Sequence, residues 1–218
     1  MFRLGVSVSM KDRQRTLDTV AQVIRAMAAA KPGNYLACFP SYAYMTQAFR
    51  HYRMRWPDDE VICQESAMSE ARRAAFIDRF KPAPERSMVA FIVLGGVFAE
   101  GVDLPNDRLS GAAIVSTGIP QISFEREVLA ELLDDAGDEG RDAAYTYPGI
   151  RRVLQAAGRV IRTETDRGVV ILMDQRYRQE NCCALLPPHW NVEDIGKLSA
   201  LNVRLKEFWK QKSAGSGD

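Results

Sequence analysis

Continuous apolar segments separated by helical patterns constrain the fold of this chain more than any other feature. The clearest segment is residues 88–94, and similar segments occupy residues 35–39, 112–116 and 168–174. Strands that are apolar along their whole length are typical of parallel sheets, because crossover helices cover both faces. The sequence therefore predicts an α/β fold, with a parallel sheet of about five or six strands between two helical layers.

Weaker patterns predict the other elements. Asp12 is predicted to cap a helix that ends near residue 30, and Ser41 and Ser69 are predicted to cap two later helices. The remaining elements are a strand within 2–9, helices at 42–52, 69–80 and 124–133, a strand at 60–64, an acidic loop at 134–142 and a helix at 192–212. We expect residues 1–212 to form one domain, and the small, polar residues 213–218 to be a disordered tail.

The composition narrows the class of protein. Of the 218 residues, 46% are hydrophobic and 26% are charged, and the net charge is +1, so any surface that binds a polyanion must be local. No apolar run approaches the roughly 18 residues of a membrane span, and no signal segment is visible at the N-terminus, so we expect a cytoplasmic protein without membrane contact. The four cysteines include no C-x₂-C pair, which predicts neither a zinc site nor a disulfide.

The segment 148–162 has a helical apolar pattern and carries the most distinctive polar residues. Its apolar residues are Ile150, Val153, Leu154, Ala157 and Ile161. On one continuous helix, Gln155, Arg159 and Arg162 lie at i, i+4 and i+7 and share a face, beside which Gly158 leaves the backbone uncovered. An amide and two guanidinium groups on one face suit a polyanion such as a triphosphate. The alternative is a surface helix whose arginines pair with nearby carboxylates.

Polar residues also follow three of the predicted strands directly. Ser41 and Tyr42 follow the strand at 35–39, and Thr117 follows the strand at 112–116. The strand at 88–94 leads through two glycines into the acidic turn Glu100-Gly101-Val-Asp103. Because ligands of parallel sheets bind beyond the carboxyl ends of the strands, we expect these residues at one edge. The alternative for the acidic turn is a charged loop before Pro105.

Residues 49–56 interleave aromatic and basic side chains. Such a mixture suits single-stranded nucleic acid, because bases stack on aromatic rings while phosphates pair with basic groups. The alternative is the amphipathic end of a helix, where basic residues interact favourably with the helix dipole. Arg53 is the residue of this segment that we expect to contact nucleic acid.

Three of these motifs resemble, in order and approximate spacing, motifs of superfamily 2 helicases. Gln155-x-x-Gly158-Arg159-x-x-Arg162 resembles motif VI, Glu100-Gly101-Val-Asp103 resembles motif V, and Phe39-Pro-Ser41-Tyr42 resembles motif IV. The continuation through Asp166-x-Gly168 to Asp174-x-Arg176-Tyr177 is similar to the XPD/DinG-type branch. The resemblance covers about residues 1–210.

The resemblance implies the second RecA-like domain, also called the helicase C-terminal domain, of an ATP-dependent DNA helicase of the kind used in DNA repair. It implies catalytic roles, including an arginine finger, for Gln155, Arg159 and Arg162. It implies contacts with the nucleotide for Glu100, Gly101, Asp103 and Gly158. It implies contacts with the backbone of single-stranded DNA for Ser41, Tyr42, Thr117 and Arg53.

The chain contains no G-x-x-x-x-G-K-[ST] segment, the loop that cradles phosphates in such motors. The resemblance then implies that ATP and Mg²⁺ are held mainly by an N-terminal helicase domain in cis, which is absent from this chain. We expect no metal site here, and an isolated domain that is monomeric and inactive. Two alternatives remain: a non-catalytic nucleic-acid-binding module that keeps the helicase fold, and a stand-alone α/β enzyme that uses Asp103 and Glu100 as acid and base.

Overall fold

The protein is described by a computed structural model that covers residues 1–100, 108–135, 139–161 and 166–211, without the side chain of Glu100. In these residues seven strands form one sheet, in the order β3-β4-β2-β5-β6-β1-β7, and every pairing is parallel. The strands are β1 Phe2–Leu4, β2 Asn34–Phe39, β3 Glu60–Cys63, β4 Met88–Val93, β5 Gly111–Val115, β6 Val169–Met173 and β7 Glu193–Ile195. The parallel sheet confirms the predicted fold class.

Helices cover both faces of the sheet. They are α1 Arg13–Ala29, α2 Tyr42–Arg55, α3 Glu70–Ile77, α4 Val97–Glu100, α5 Phe124–Asp135, α6 Tyr147–Ala157, α7 Glu180–Cys183 and α8 Leu198–Lys210. Successive residues of a strand point to opposite faces, so each central strand contributes to two cores. In β4, Phe91 belongs to the core that also includes residues of α1, α2 and α8, whereas Ile92 belongs to the core that includes residues of α3, α4 and α6. These two cores give the predicted three-layer arrangement.

The C-terminal segment differs from its prediction. The single helix predicted at 192–212 is instead the edge strand β7 followed by α8, which starts at Leu198. β7 pairs with β1, and the guanidinium of Arg3 in β1 donates to the carboxylate of Asp194 in β7 at 2.6 Å. Because the partner strand lies at the other end of the sequence, local periodicity could not reveal this short strand.

All three residues predicted as helix caps stand at N-cap positions, and two of them make a capping hydrogen bond. Ser41 accepts a hydrogen bond from the backbone N–H of Tyr44 at 3.4 Å, and Ser69 accepts one from Arg72 at 3.4 Å. Asp12 stands at the N-cap position of α1 as predicted, but it has helical backbone angles and its side chain makes no capping hydrogen bond. Its carboxylate accepts from the hydroxyl of Ser7 at 2.6 Å instead, and that hydrogen bond lowers the pKa of Asp12.

The helix predicted at 148–162 is shorter than expected. It begins at Tyr147, after a π-helical turn at Asp142–Thr146, and it ends at Ala157 with Gly158 as its C-cap. The acidic loop predicted at 134–142 is helical at both of its ends, because residues 134–135 belong to α5 and residues 140–142 are helical, and residues 136–138 lie outside the described part. Glycine in a helix interior costs about 1 kcal/mol relative to alanine, which favours a helix end at Gly158.

Candidate functional site

The carboxyl ends of the strands lie along one edge of the sheet, because every strand runs in the same direction. Gln64 follows β3 there and is 6% exposed. Its Nε2 donates to the hydroxyl of Tyr42 at 2.8 Å, and its Oε1 accepts from the backbone N–H of Val93 at 2.9 Å. This amide joins the ends of β2, β3 and β4. The sequence analysis missed Gln64, although its position directly after a predicted strand was a signal.

An ion pair between a buried carboxylate and a half-buried arginine joins the ends of β5 and β6. Asp174 is 2% exposed, and its carboxylate accepts two hydrogen bonds from Arg176 Nε, both at 3.1 Å, and one from Nη2 at 2.7 Å. Arg176 Nη2 also donates to the hydroxyl of Ser116 at 3.1 Å, and the hydroxyl of Tyr177 donates to the Ser116 carbonyl at 2.8 Å. Burial alone would lower the pKa of Arg176, but hydrogen bonds and charge from Asp174 outweigh burial and raise it. This motif holds two strand ends together.

Two glycine turns at the same edge contact the helix α6. Gly95, after β4, has φ +73°, and Gly118, after β5, has φ +69°, a backbone conformation that glycine adopts readily. Arg152 of α6 lies against both turns. A Cβ atom placed on Gly95 would be 2.8 Å from Arg152 Nε, and Arg152 Nη1 donates to the Gly118 carbonyl at 3.4 Å. At Gly118 itself, an added Cβ would be 2.7 Å from the carbonyl oxygen of Gly149.

Arg152 therefore connects α6 to the turn that leads into the predicted motif V. The short helix α4, which continues from that turn, also packs against α6. Arg152 was missed by the sequence analysis, although it lies three residues before Gln155 and so one helical turn away. The structure thus brings the start of one predicted nucleotide motif next to the helix of the other.

The outward face of α6 carries polar and charged groups. Arg151 and Gln155 are exposed, and together with Arg152 and Tyr147 they line a shallow surface depression. Gln155 is therefore accessible, as a catalytic or ligand-binding role requires. Its catalytic role stays a prediction.

The predicted single stripe of Gln155, Arg159 and Arg162 is not one helical face. α6 ends at Ala157, and the half-buried Arg159 lies in the turn that follows Gly158. Ile161, predicted as part of the apolar face, is 47% exposed for the same reason. Gly158 is exposed and has an ordinary helical φ of −63°, so its position requires no left-handed conformation.

Several predicted site residues lie outside the part that the structure describes. These are Gly101 and Asp103 of the acidic turn and Arg162 of the motif VI segment. Of Glu100, only the backbone is described, as the last residue of α4. Their roles at a nucleotide stay predictions.

Among the residues predicted to contact DNA, Thr117 is buried. Its side chain is 0% exposed and its buried hydroxyl has no hydrogen-bond partner, because it lies beneath the start of α6. Burial counts against a contact between this side chain and DNA, and the role of Thr117 stays a prediction. Ser41 is half-buried and caps α2, whereas Tyr42 is 36% exposed and Arg53 is exposed, with its guanidinium 5.8 Å from the ring centroid of Phe49.

The aromatic residues of segment 49–56 pack into the protein. Tyr52 is fully buried and donates its hydroxyl to Asp59 at 2.9 Å, and Trp56 packs against the core beneath Arg25. This packing agrees with the alternative of an amphipathic helix end, so the aromatic rings are not free to stack on bases. Arg53 remains on the outer surface.

Comparison with known proteins adds three findings. The family model described as the helicase C-terminal domain matches residues 24–193. The general transcription and DNA repair factor IIH helicase subunit XPD of Dictyostelium discoideum is 28% identical over 187 residues, which are 80% of this chain and 24% of that protein. Regulator of telomere elongation helicase 1 of Bos taurus is 28% identical over 202 residues, which are 82% of this chain and 16% of that protein. The chain spans less than a quarter of the length of these relatives.

Solved structures share the fold. An apo XPD structure has a TM-score of 0.70 at 20% identity, and the match covers 89% of this chain and 39% of that one. The C-terminal domain of the DEAD-box protein Dbp5 has a TM-score of 0.57 at 13% identity, and the match covers 95% of this chain and 96% of that one. In the described ranges, every helix is too short or too polar to cross a bilayer.

Proposed function

Because this chain belongs to the helicase C-terminal domain family, we propose that it is the second RecA-like motor domain of an ATP-dependent DNA helicase of the XPD/DinG type. One observation carries the proposal: Arg152 links the glycine turn before the predicted motif V to the helix that begins the predicted motif VI. The segment that leads into one implied nucleotide motif therefore lies beside the helix of the other, at the carboxyl edge of the sheet, and this supports the proposal.

The proposed nucleotide site lies between two domains. The 218 residues contain no phosphate-cradling loop, so ATP and its Mg²⁺ are held mainly by a first helicase domain in cis. From this chain, Gln155 and the arginines that follow α6 approach the phosphates. The carbonyl groups at the C-terminal end of α6 carry partial negative charge, so the backbone there cannot neutralise an anion. Arg159 and Arg162 supply the positive charge that the transition state of phosphoryl transfer requires.

Single-stranded DNA is the proposed second ligand. Tyr42 is exposed at the first turn of α2, where the backbone N–H groups favour an anion such as a phosphate. Ser41 caps the same turn, and Arg53 extends the positive surface toward the other end of the helix. Contacts of this kind are made with phosphates rather than base edges, so we expect weak sequence preference and strong salt dependence.

The test uses the protein that carries both motor domains. Arg159→Ala and Arg162→Ala should each lower DNA-stimulated ATP hydrolysis by about 10³-fold, while binding of a fluorescent ATP analogue is largely retained. Arg15→Ala, an exposed arginine on α1, is the matched control and should leave turnover unchanged. Full turnover in both site variants would remove the arginine-finger assignment.

The second candidate is a nucleic-acid-binding module without motor activity. The missing phosphate-cradling loop favours it, because this chain alone cannot build an ATP site of that kind. Two measurements separate the candidates. A protein whose DNA binding is unaffected by ATP, and which shows no hydrolysis when joined to its neighbouring domain, would be the module.

A further inference from the structure

The outer face of α2 and the edge strand β3 enclose an open groove of about 1130 Å³. Along α2 the groove is lined by a stripe of donors, Tyr42, Thr46, Arg50 and Arg53, whose spacing places them on one helical face. The opposite wall is formed by β3, through the half-buried residues Val61, Ile62 and Cys63. The groove begins at the carboxyl edge of the sheet, where Tyr42 lies, and extends away from the proposed nucleotide site.

The two arginines of this stripe are electrostatically uncompensated. In the described ranges, neither Arg50 nor Arg53 has a carboxylate within ion-pair distance, and both are exposed. Their neighbour Arg55, on another face of α2, is paired with Asp18 at 3.4 Å. The acidic residue that lines the groove, Glu65, is paired with Arg72 of α3. The groove therefore carries two unpaired positive charges.

The hydroxyl groups add further donors. Tyr42 accepts from Gln64 through its hydroxyl oxygen, so the hydroxyl hydrogen remains available to donate outward. From Tyr42 to Arg53, α2 rises by roughly 16 Å, with a donor at each turn or so. A chain of phosphates matches this spacing, whereas a peptide added to the edge would find its backbone partners along β3, which is only 4 residues long.

We infer that this groove binds the backbone of single-stranded nucleic acid, as an extension of the contact at Tyr42. The inference rests on the proposed function, and it adds Thr46 and Arg50 and a direction for the strand. The phosphates pair with Arg50 and Arg53, and the sugar and base faces lie against the apolar wall at Val61 and Ile62. An acidic peptide bound along β3 is the competing occupant.

The first experiment measures binding of the full chain to a fluorescent 20-nucleotide oligo-dT over a range of salt concentrations. Removing two phosphate contacts with Arg50→Ala/Arg53→Ala should weaken binding by about tenfold at low salt. It should also reduce the magnitude of the slope of log K against log salt by about 1.4, because a single strand loses roughly 0.7 per contact. Arg50→Lys/Arg53→Lys keeps both charges and should retain most of the slope.

The matched control removes the same charge elsewhere. Arg73 on α3 and Arg86 in the loop before β4 are exposed, and neither has an ion-pair partner in the part of the chain that the structure describes. Neither lines the groove. The variant Arg73→Ala/Arg86→Ala should therefore leave the salt slope unchanged. An equal loss in both double variants would mean that only overall charge matters, and it would overturn the inference.

The second experiment measures occupancy of the groove directly. Cys63 lies in the groove wall, and burial raises the pKa of its thiol to about 11, so it reacts slowly and is best labelled with iodoacetamide at mildly alkaline pH. Oligo-dT should slow the labelling of Cys63. Cys183 is exposed and does not line the groove, so its labelling should not change. Mass spectrometry of peptides separates the two sites.

The outcomes separate this inference from the proposed function. Loss of binding in Tyr42→Ala, with normal binding in Arg50→Ala/Arg53→Ala and no protection of Cys63, would overturn the groove and the contact at Arg53, and would leave the rest of the proposed function standing. Normal binding in both variants would contradict the DNA contacts of both proposals. Protection of Cys63 by poly-glutamate but not by oligo-dT would assign the groove to an acidic peptide and would also overturn the inference.

Discussion

Alanine in place of each of two left-handed glycines should destabilise the protein by different amounts. Gly95 and Gly118 have nearly the same φ, +73° and +69°, so the conformational cost of alanine is about 1–2 kcal/mol at both. The gain from a less flexible unfolded chain is also the same at both positions and cancels in the comparison. The atoms that surround the two glycines differ. The difference between the two losses of stability should therefore measure how tightly α6 packs against the carboxyl ends of the strands.

At Gly118 the new Cβ would lie 2.7 Å from the carbonyl oxygen of Gly149, a backbone atom that moves only if the start of α6 moves. At Gly95 it would lie 2.8 Å from Arg152 Nε, in a long side chain that can turn away. Overpacking against a fixed group costs about 1–3 kcal/mol. We therefore expect a loss of about 3 kcal/mol in the free energy of unfolding for Gly118→Ala, and about 1–2 kcal/mol for Gly95→Ala.

Urea denaturation measures both losses, provided that the slope m is unchanged. The control makes Gly95→Ala in the Arg152→Ala background: relative to Arg152→Ala alone, which already lacks the hydrogen bond to Gly118, the second substitution should cost only the conformational term of about 1–2 kcal/mol. Equal losses at the two glycines would refute the reasoning, since the flexible and rigid neighbours would then be equivalent. A larger loss at Gly95 would show that Arg152 is held more rigidly than the backbone of α6.

Three further predictions concern stability, each measured by urea denaturation. Tyr177→Phe leaves the buried carbonyl of Ser116 without its donor at 2.8 Å and should cost about 1–3 kcal/mol, whereas a neutral result would mean that water replaces the hydroxyl. Hydrogen bonds from Arg3 lower the pKa of Asp194 to about 2, below its ordinary value of 3.8. The stability that this pair contributes is therefore complete above about pH 4, and it is lost as the pH falls toward 2. Asp194→Asn should cost about 1 kcal/mol at pH 7, because this half-exposed pair is screened by water, and the difference from the unmodified protein should disappear near pH 2. Phe91→Ala should cost about 3–5 kcal/mol, because this fully buried ring sits among the rings of neighbouring elements, and a loss below about 1 kcal/mol would contradict the packing of that core.

The central strands could be predicted from the sequence almost to the residue, because burial on both faces leaves a local signal. Predicted strands at 88–94 and 112–116 correspond to β4 Met88–Val93 and β5 Gly111–Val115. The edge strand β7 left no such signal. It is short and carries Glu193 and Asp194, and its pairing depends on β1, at the other end of the chain.

The candidate site was only partly predictable. Gln155 was expected on an exposed helical face and lies there, but the helix was expected to continue through Arg159 and in fact ends at Ala157. Thr117 directly follows a strand, which is where residues that contact ligands of parallel sheets lie, yet α6 covers its side chain. Position after a strand predicts which edge a residue occupies, and it does not predict whether another element packs over it.

The sequence by itself determined the parallel sheet, the order of its central elements and the motifs that resemble those of helicases, since each depends on neighbours within a few residues. Only the tertiary structure decided how those motifs meet. Arg152 and Gln64 join segments far apart in the chain, and the uncompensated charge of Arg50 and Arg53 depends on which carboxylates other elements bring near them. These contacts and charges depend on the distances between elements, and the packing of the whole core sets those distances.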